Sequence, residues 1–269
     1  MTTPRRLAAL LSLLLLAPLL ALLGPGSASA IVGGDQADDG EHAFAASLQR
    51  RGSSGSDGHF CGGSVVGKRW ILTAAHCTVF EPDEVQVVVG RTDLTQRGGQ
   101  KLRIDRMLVH PDYDSTGSSD VALWHTTKRI KAPRITLPRA ADDALEAAGS
   151  RWTVVGWGLD AYQVGSVQDR LKELEVRVTS DLECQTNALL GFSPDTEICA
   201  AELLGDSCQG DSGGPIFATR DDGSLVQMGA VSYGLGCALP LFPGVYAELN
   251  APSIRSWLRS TMKASRKKR

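Results

Sequence analysis

The chain has 269 residues, with 28 basic and 30 acidic side chains and a formal net charge of −2. Its length is sufficient for one large domain or two small ones, and its 42% hydrophobic and 22% charged residues exclude a disordered chain, a collagen and a coiled coil. The slightly acidic balance also argues against a general nucleic-acid-binding role, which requires a basic surface.

The first 30 residues have the three parts of a secretory signal peptide. Arg5 and Arg6 precede an apolar stretch over residues 7–23, and the segment Ala28-Ser29-Ala30 supplies the small residues of a cleavage site. A transmembrane anchor is the alternative, but the stretch is shorter than the ~20 apolar residues that a span usually needs. The paired arginines leave a twin-arginine export route open. We therefore expect a secreted, extracellular mature chain with no membrane contact after signal cleavage.

Short apolar or β-branched runs between Gly, Asp and Pro residues predict strands through most of the chain, as in an all-β sandwich or barrel. The predicted strands cover residues 70–74, 85–89, 102–109, 152–157, 174–178, 226–233 and 245–249. Residues 133–143 contain two prolines and several small or charged residues, and they indicate a connection between two strand-rich halves.

Helical periodicity is found at the end of the chain. Pro252 begins a segment in which Ile254, Trp257, Leu258 and Met262 share one face, which predicts a C-terminal helix packed on the body. The basic residues after it are predicted to form a solvated, frayed tail: Lys263, Arg266, Lys267, Lys268 and Arg269.

Six cysteines in an exported chain predict three disulfides, and counting alone allows 15 pairings. A zinc site is the weaker alternative because the cysteines are widely spaced and form no C-x-x-C pair. The six are Cys61, Cys77, Cys184, Cys199, Cys208 and Cys237.

Ser212 lies in a glycine-rich stretch, Gly-Asp-Ser-Cys-Gln-Gly-Asp-Ser-Gly-Gly-Pro over residues 205–215. Glycines permit a sharp turn and the close approach of a substrate, which suits an exposed nucleophile. The G-x-S-x-G spacing also fits α/β-hydrolases, which place their histidine after the serine. All five histidines of this chain precede Ser212, so that fold is excluded.

A serine nucleophile needs a base, and the base needs a group that fixes its tautomer. His76 is the candidate base because it follows an apolar strand and adjoins Cys77, which a disulfide could hold in place. Asp120 leads directly into an apolar run, where an acid is expected to be buried with a partner. Of the other histidines, we expect His42, His59 and His125 at the surface and His110 in a turn.

The order His76, Asp120, Ser212 is the chymotrypsin-type order. With this order, the chain resembles the trypsin-like serine proteases over nearly all of its mature length. Further motifs carry the resemblance: Ile31-Val32-Gly33-Gly34, Cys61-Gly62-Gly63-Ser64, Gly156-Trp157-Gly158 and Pro243-Gly244-Val245-Tyr246.

The resemblance implies two antiparallel six-stranded β-barrels with a C-terminal helix. The expected domains are a signal peptide at 1–30, a first barrel with His76 and Asp120 at 31–138, a second barrel with Ser212 and the specificity pocket at 139–251, and the helix with its basic tail at 252–269. The implied disulfides are Cys61–Cys77, Cys184–Cys199 and Cys208–Cys237.

The activity implied is that of a serine endopeptidase that forms an acyl-enzyme intermediate. His76, Asp120 and Ser212 would be catalytic, and the N–H groups of Gly210 and Ser212 would form the oxyanion hole. A buried carboxylate at the base of the substrate pocket would select Arg or Lys before the scissile bond. That pocket would consist of Asp206, Ser232, Gly234 and Gly244.

The resemblance also implies that a free amino group at Ile31 pairs with Asp211. Many relatives are cut after a basic residue to release this terminus, whereas Ala30 precedes it here. We therefore expect signal cleavage itself to create the active enzyme, a pattern more typical of a bacterial member, with a short propeptide as the alternative.

The expected partners are protein or peptide substrates with Arg or Lys, and proteinaceous inhibitors. We expect no cofactor, no nucleic acid and a monomer. Tyr233 stands where many relatives have Trp, which predicts a change in subsite preference. Residues 91–101 contain a single acid, Asp93, and predict no calcium site there. The alternatives are an inactive relative that acts as a binding protein, and a protease of chymotryptic or elastolytic specificity.

Overall fold

The computed structural model describes residues 31–113, 118–185 and 191–264. The predicted signal peptide and most of the basic tail lie outside these residues. Within them the chain forms thirteen strands: β1 Asp35–Gln36, β2 Ala45–Arg50, β3 His59–Gly67, β4 Trp70–Thr73, β5 Val85–Val89, β6 Gln100–Val109, β7 Ala122–Thr126, β8 Arg151–Gly156, β9 Lys172–Val178, β10 Glu197–Ala201, β11 Pro215–Thr219, β12 Leu225–Tyr233 and β13 Gly244–Glu248.

The first seven strands, apart from the short β1, close into an antiparallel barrel in the order β2-β3-β4-β7-β6-β5. β-branched and apolar side chains fill it, because alternate residues of each strand point inward. Leu48, Ile71, Val87 and Trp124 are among its fully buried residues.

The remaining strands form a second antiparallel barrel. They run in the order β9-β10-β13-β12-β11-β8, and the pairing of β8 with β9 closes the ring, while β1 adds to the outside of β9. Trp152, Val176, Met228 and Tyr246 lie in its core. The predicted pair of six-stranded barrels is confirmed.

A third cluster of buried side chains joins the barrels to each other and to the C-terminal helix. It includes Leu72 and Leu123 from the first barrel and Val155 and Phe217 from the second. The helix α2, Pro252–Ala264, follows a short α1, Asp181–Cys184, and begins at the predicted proline. Its predicted apolar face packs on this cluster: Ile254 and Leu258 are buried, and Trp257 and Met262 are partly buried.

All seven predicted strands are present, with shifts of one or two residues at their ends. The strand prediction missed the other six strands: β1, β2, β3, β7, β10 and β11. β2 and β3 mix apolar residues with Gly, Ser or Gln, and the other four are five residues long or shorter. The three disulfides are those implied by the family resemblance: Cys61–Cys77, Cys184–Cys199 and Cys208–Cys237. Among the described residues, no helix combines the length and the apolar character required to cross a bilayer.

Candidate active site

The pairing of β4 with β7 brings His76 and Asp120 together. Thr73, the last residue of β4, lies opposite Ala122, the first residue of β7. His76 follows β4 in the 3-10 turn Ala75–Cys77, and Asp120 precedes β7, so both side chains leave the same edge of the first barrel. His76 Nδ1 lies 2.7 Å from Asp120 Oδ2, and the His76 backbone N–H donates to Asp120 Oδ1 at 2.9 Å.

Asp120 is almost fully buried, and its carboxylate has a third donor. Ser232, on β12 of the second barrel, donates its hydroxyl to Asp120 Oδ2 at 2.6 Å. These hydrogen bonds offset the cost of burying the carboxylate. Because Nδ1 of His76 donates to Asp120, Nε2 of the neutral ring is the nitrogen that can accept a proton. The His76 side chain is 34% exposed, so a substrate can reach it.

Ser212 lies in the turn between Cys208 and β11, and this turn packs against the end of β4. Gly213 has φ +76°, and a Cβ there would lie 2.1 Å from Thr73 Oγ1, so the turn requires glycine. The Ser212 carbonyl accepts a hydrogen bond of 2.8 Å from Gly62 N. The structure thus places Ser212 beside the segment that carries His76, although the described residues show no hydrogen bond between the Ser212 hydroxyl and His76.

The peptide that follows Gly210 is held by a buried histidine. His59 Nε2 lies 2.9 Å from the Gly210 carbonyl oxygen, and His59 Nδ1 lies 2.8 Å from Ser47 Oγ. Burial lowers the pKa of His59 to about 4, so the neutral ring donates to Gly210 and accepts from Ser47. Gly210 itself has φ +97°. His59 therefore fixes the backbone of the expected oxyanion hole.

Asp211 is fully buried beneath this turn. Its two oxygens accept hydrogen bonds of 2.8 Å from the backbone N–H groups of Gly158 and Cys208. A Cβ at Gly156 would lie 1.9 Å from Asp211 Oδ1, which leaves no space for a side chain there. Burial raises the pKa of Asp211 to about 7, and no side-chain cation of the described residues pairs with it. Ile31 is also fully buried.

Asp206, six residues before Ser212 in the sequence, is also buried. Its Oδ2 accepts a hydrogen bond of 3.2 Å from Ala238 N, and burial raises its pKa to about 7. A Cβ at Gly244 would lie 2.8 Å from Asp206 Oδ1, whereas one at Gly234 would meet no atom closer than 3.5 Å. A cavity of about 470 Å³ is lined by Asp206 and Gly244 but not by Ser212, Ser232 or Gly234.

Tyr233 follows Ser232 and is anchored by a buried glutamate. The Tyr233 hydroxyl donates to Glu197 Oε2 at 3.0 Å, and Ser193 N donates to the same oxygen at 2.6 Å. Burial and the nearby Glu197 carboxylate raise the pKa of Tyr233, so its hydroxyl stays protonated as a donor. Phe192 and Tyr233 both pack against the buried cluster of Cys184, Cys199 and Val245.

The comparison with known protein families agrees with this geometry: the family model described as Trypsin matches residues 31–258. The chain belongs to the trypsin family. A trypsin of Saccharopolyspora erythraea is 36% identical over 82% of this chain and 94% of the relative. Trypsin 5G1 of Aedes aegypti is 37% identical over 87% of this chain and 85% of the relative. Trypsin-1 of Astacus astacus is 34% identical over 82% of this chain and 95% of the relative.

As a trypsin-family member the protein is a serine endopeptidase, and its substrates are proteins. The expectation of a serine protease with three disulfides is therefore confirmed.

The prediction that three histidines lie at the surface is wrong. His42, His59 and His125 are all more than nine-tenths buried. Aromatic side chains from distant parts of the sequence pack against each ring: Phe217 against His42, Trp157 against His59 and Trp70 against His125. His110 does begin a turn, in which Tyr113 N donates to its carbonyl oxygen, and it too is buried.

Proposed function

We propose that this trypsin-family protein is a secreted endopeptidase that cleaves after Arg or Lys, with Asp206 as the selecting group. The observation that carries the proposal is the environment of Asp206, which is 6% exposed and has no ion-pair partner among the described residues. A buried carboxylate is costly without a cation. A guanidinium or ammonium group from the substrate would supply that cation.

The arrangement of His76, Asp120 and Ser212 supports acyl transfer. The Ser212 oxygen would attack the scissile carbonyl as its proton passes to His76 Nε2, and Asp120 would stabilise the resulting imidazolium. The backbone N–H groups of Gly210 and Ser212 would bind the oxyanion, and His76 would then protonate the leaving amine. Water would release the acyl group by the same steps, with His76 again as the base. Catalytic hydrogen bonds are often long before substrate binds, which agrees with the absence of a Ser212–His76 bond.

We further propose that signal cleavage before Ile31 completes the site. Ile31 has φ +47° in the uncleaved chain, a strained conformation for a β-branched residue. Cleavage of the preceding peptide bond removes this restraint and creates an α-ammonium group. This group would pair with the buried carboxylate of Asp211, which the described side chains leave without a cation. N-terminal sequencing of secreted protein should give Ile31 first, and a different first residue would contradict this step.

The terminal ion pair has a pH consequence. An α-ammonium group ordinarily loses its proton near pH ~8. Pairing with Asp211 raises that value, so the stabilisation is complete at lower pH and is lost as the pH rises through the raised value. Activity should therefore fall at alkaline pH. Acetylation of the mature terminus should abolish activity, and an acetylated enzyme of full activity would refute the pairing.

Chromogenic peptides that differ only at the scissile residue test the specificity. We expect hydrolysis of the Arg and Lys peptides, little of the Phe and Ala peptides, and none by Ser212→Ala. Preference for Phe or Ala would indicate chymotryptic or elastolytic specificity. Failure of a correctly trimmed preparation on all four peptides would indicate an inactive binding protein.

A further inference from the structure

Three side chains with metal-binding groups converge away from Ser212. Glu41 and His42 lie in the loop between β1 and β2, and Glu173 lies on β9. One donor atom from each lies within 4.8 Å of the other two. The closest contact is 2.6 Å, between His42 Nε2 and Glu173 Oε2.

The fold holds these groups in place without a ligand. β1 pairs with β9, with Asp35 opposite Glu173, which brings the loop over β9. Glu41 is oriented by a hydrogen bond of 3.1 Å from Asp38 N to its Oε2. The His42 ring is 6% exposed and packs against the rings of Phe44 and Phe217, with centroids 5.7 and 5.3 Å away. The confined His42 ring therefore loses little entropy when an ion binds, while Glu41 lies exposed at the surface.

The hydrogen bonding of His42 favours a cation between its ring and the carboxylates. His42 Nδ1 is buried and has no hydrogen-bond partner among the described residues. His42 Nε2 and Glu173 Oε2 share one proton across their 2.6 Å contact. A divalent ion can replace that proton, because the neutral ring with its proton on Nδ1 offers the Nε2 lone pair as a ligand beside Glu173 and Glu41. Asp35 of β1 and Asp38 and Asp39 of the loop add negative charge nearby, while Arg170 pairs with Asp39 at 2.9 Å and Lys172 precedes Glu173 in β9.

We propose that Glu41, His42 and Glu173 bind one divalent transition-metal ion, with Zn²⁺ the ion that best fits the ligands. One imidazole and two carboxylates suit Zn²⁺, and water would complete the tetrahedral coordination. The ion displaces the shared proton and widens the 2.6 Å contact to the separation of two zinc ligands. The bound ion would link the loop between β1 and β2 to β9 of the second barrel, and so stabilise the position of the N-terminal segment that begins at Ile31.

Calorimetric titration with Zn²⁺ tests the site, in the Ser212→Ala background so that the protein does not digest itself. The variants are His42→Phe, which keeps the aromatic packing, and Glu173→Gln, which keeps a hydrogen-bond acceptor for His42. The matched control is His125→Gln, because His125 Nδ1 contacts one carboxylate, Asp105, at the same distance of 2.6 Å but without a third ligand. Co²⁺ replaces Zn²⁺ in a second titration, followed by visible absorption.

We expect one Zn²⁺ per chain that His42→Phe removes, an affinity at least tenfold weaker in Glu173→Gln, and no change in His125→Gln. The Co²⁺ complex of the parent protein should show tetrahedral absorption bands that His42→Phe lacks. Zinc should also raise the Tm of the parent protein but not of His42→Phe. The proposal is overturned if the parent protein binds no Zn²⁺, or if His42→Phe binds it equally well. Neither result depends on peptidase activity, so it leaves the proposed specificity untouched.

Discussion

Ser232 Oγ donates a 2.6 Å hydrogen bond to Asp120 Oδ2, so a serine of the second barrel contacts the carboxylate of the first. The same oxygen contacts His76 Nδ1. The orientation of Asp120 therefore depends on both barrels, and a change in their alignment would move the carboxylate that contacts His76.

Replacement of Ser232 with Ala should lower kcat about tenfold, because one donor to the buried carboxylate is lost at a cost of ~1–2 kcal/mol. Ser64→Ala is the control, since Ser64 also donates a 2.6 Å hydrogen bond across the barrels, to Gln227. Both variants should lose similar stability, and only Ser232→Ala should lose kcat. Equal loss of kcat in both would show that Ser232 has no specific role.

His59 should be required for a competent oxyanion hole. His59→Phe keeps the packing against Trp157 but removes the donor to Gly210, and we expect kcat to fall about tenfold or more with a smaller change in KM. His125→Phe, at another buried histidine, should leave kcat unchanged. Steady-state kinetics on one Arg peptide separates the two cases, and a normal kcat in His59→Phe would contradict this role.

The lowered pKa of His59 also predicts a pH effect on stability. The folded-state pKa of about 4 lies below the ordinary 6.5, so the unfolded chain binds this proton more readily. The free energy of unfolding should therefore decrease as the pH falls from about 6.5 to about 4, by at most ~3 kcal/mol from this group. Urea unfolding across this range should show a shallower dependence in His59→Phe than in the parent protein.

Asp206→Asn should lower the activity towards Arg peptides and raise the stability of the protein at alkaline pH. Loss of the charge should lower kcat/KM for Arg peptides at least ~100-fold. The folded-state pKa of Asp206 is raised from 3.8 to about 7, so its burial destabilises the protein progressively as the pH rises from about 4 to about 7. The variant should thus have a Tm higher by at least ~2–4 °C at pH 8 and unchanged at pH 4.

Asp142→Asn is the matched control for this pH effect. Asp142 is also buried, but Arg220 donates two hydrogen bonds to it, at 2.7 and 2.8 Å, and lowers its pKa. The contact between ionised Asp142 and Arg220 stabilises the fold at neutral pH, and this stabilisation is lost as the pH falls through the lowered pKa of Asp142. Asp142→Asn should therefore lower the Tm at pH 8, opposite in sign to Asp206→Asn. The same sign in both would refute the assignment of Asp206 as a buried carboxylate without a cation.

Glu197 should act on extended substrates through Tyr233. Removal of the hydrogen bond by Glu197→Ala or Tyr233→Phe should raise KM for a tetrapeptide substrate severalfold and leave a single-residue Arg amide unaffected. The two changes should be strongly non-additive in a double-mutant cycle, because each removes the same contact. Additive effects would show that the residues act separately.

The proximity of His76 and Asp120 was predictable because its sequence signal is local. His76 follows the mainly apolar strand β4 by three residues, and Asp120 directly precedes the apolar run Val121-Ala122-Leu123-Trp124 that leads into β7. The disulfide pairing and the paired barrels came from the family resemblance, since periodicity alone indicates strands but not which strands become neighbours.

The buried histidines and the Glu197–Tyr233 contact could not be predicted, because their partners are distant in sequence. His59 contacts Gly210 across 151 positions, and Tyr233 contacts Glu197 across 36. Polar residues next to a histidine in the sequence indicate that the histidine is exposed only when no other part of the chain packs over it. The strand β3, which contains His59, also carries three glycines that weaken its β signal.

The residues of the candidate site come from both halves of the chain, so cleavage between the halves would separate them. His76 and Asp120 precede the long connection between β7 and β8, whereas Ser212 and Ser232 follow it. A break in that connection would yield two inert fragments, each with a part of the centre. The rate at which the mixed fragments hydrolyse substrate would then measure the fraction of fragment pairs in which the two barrels had packed together correctly.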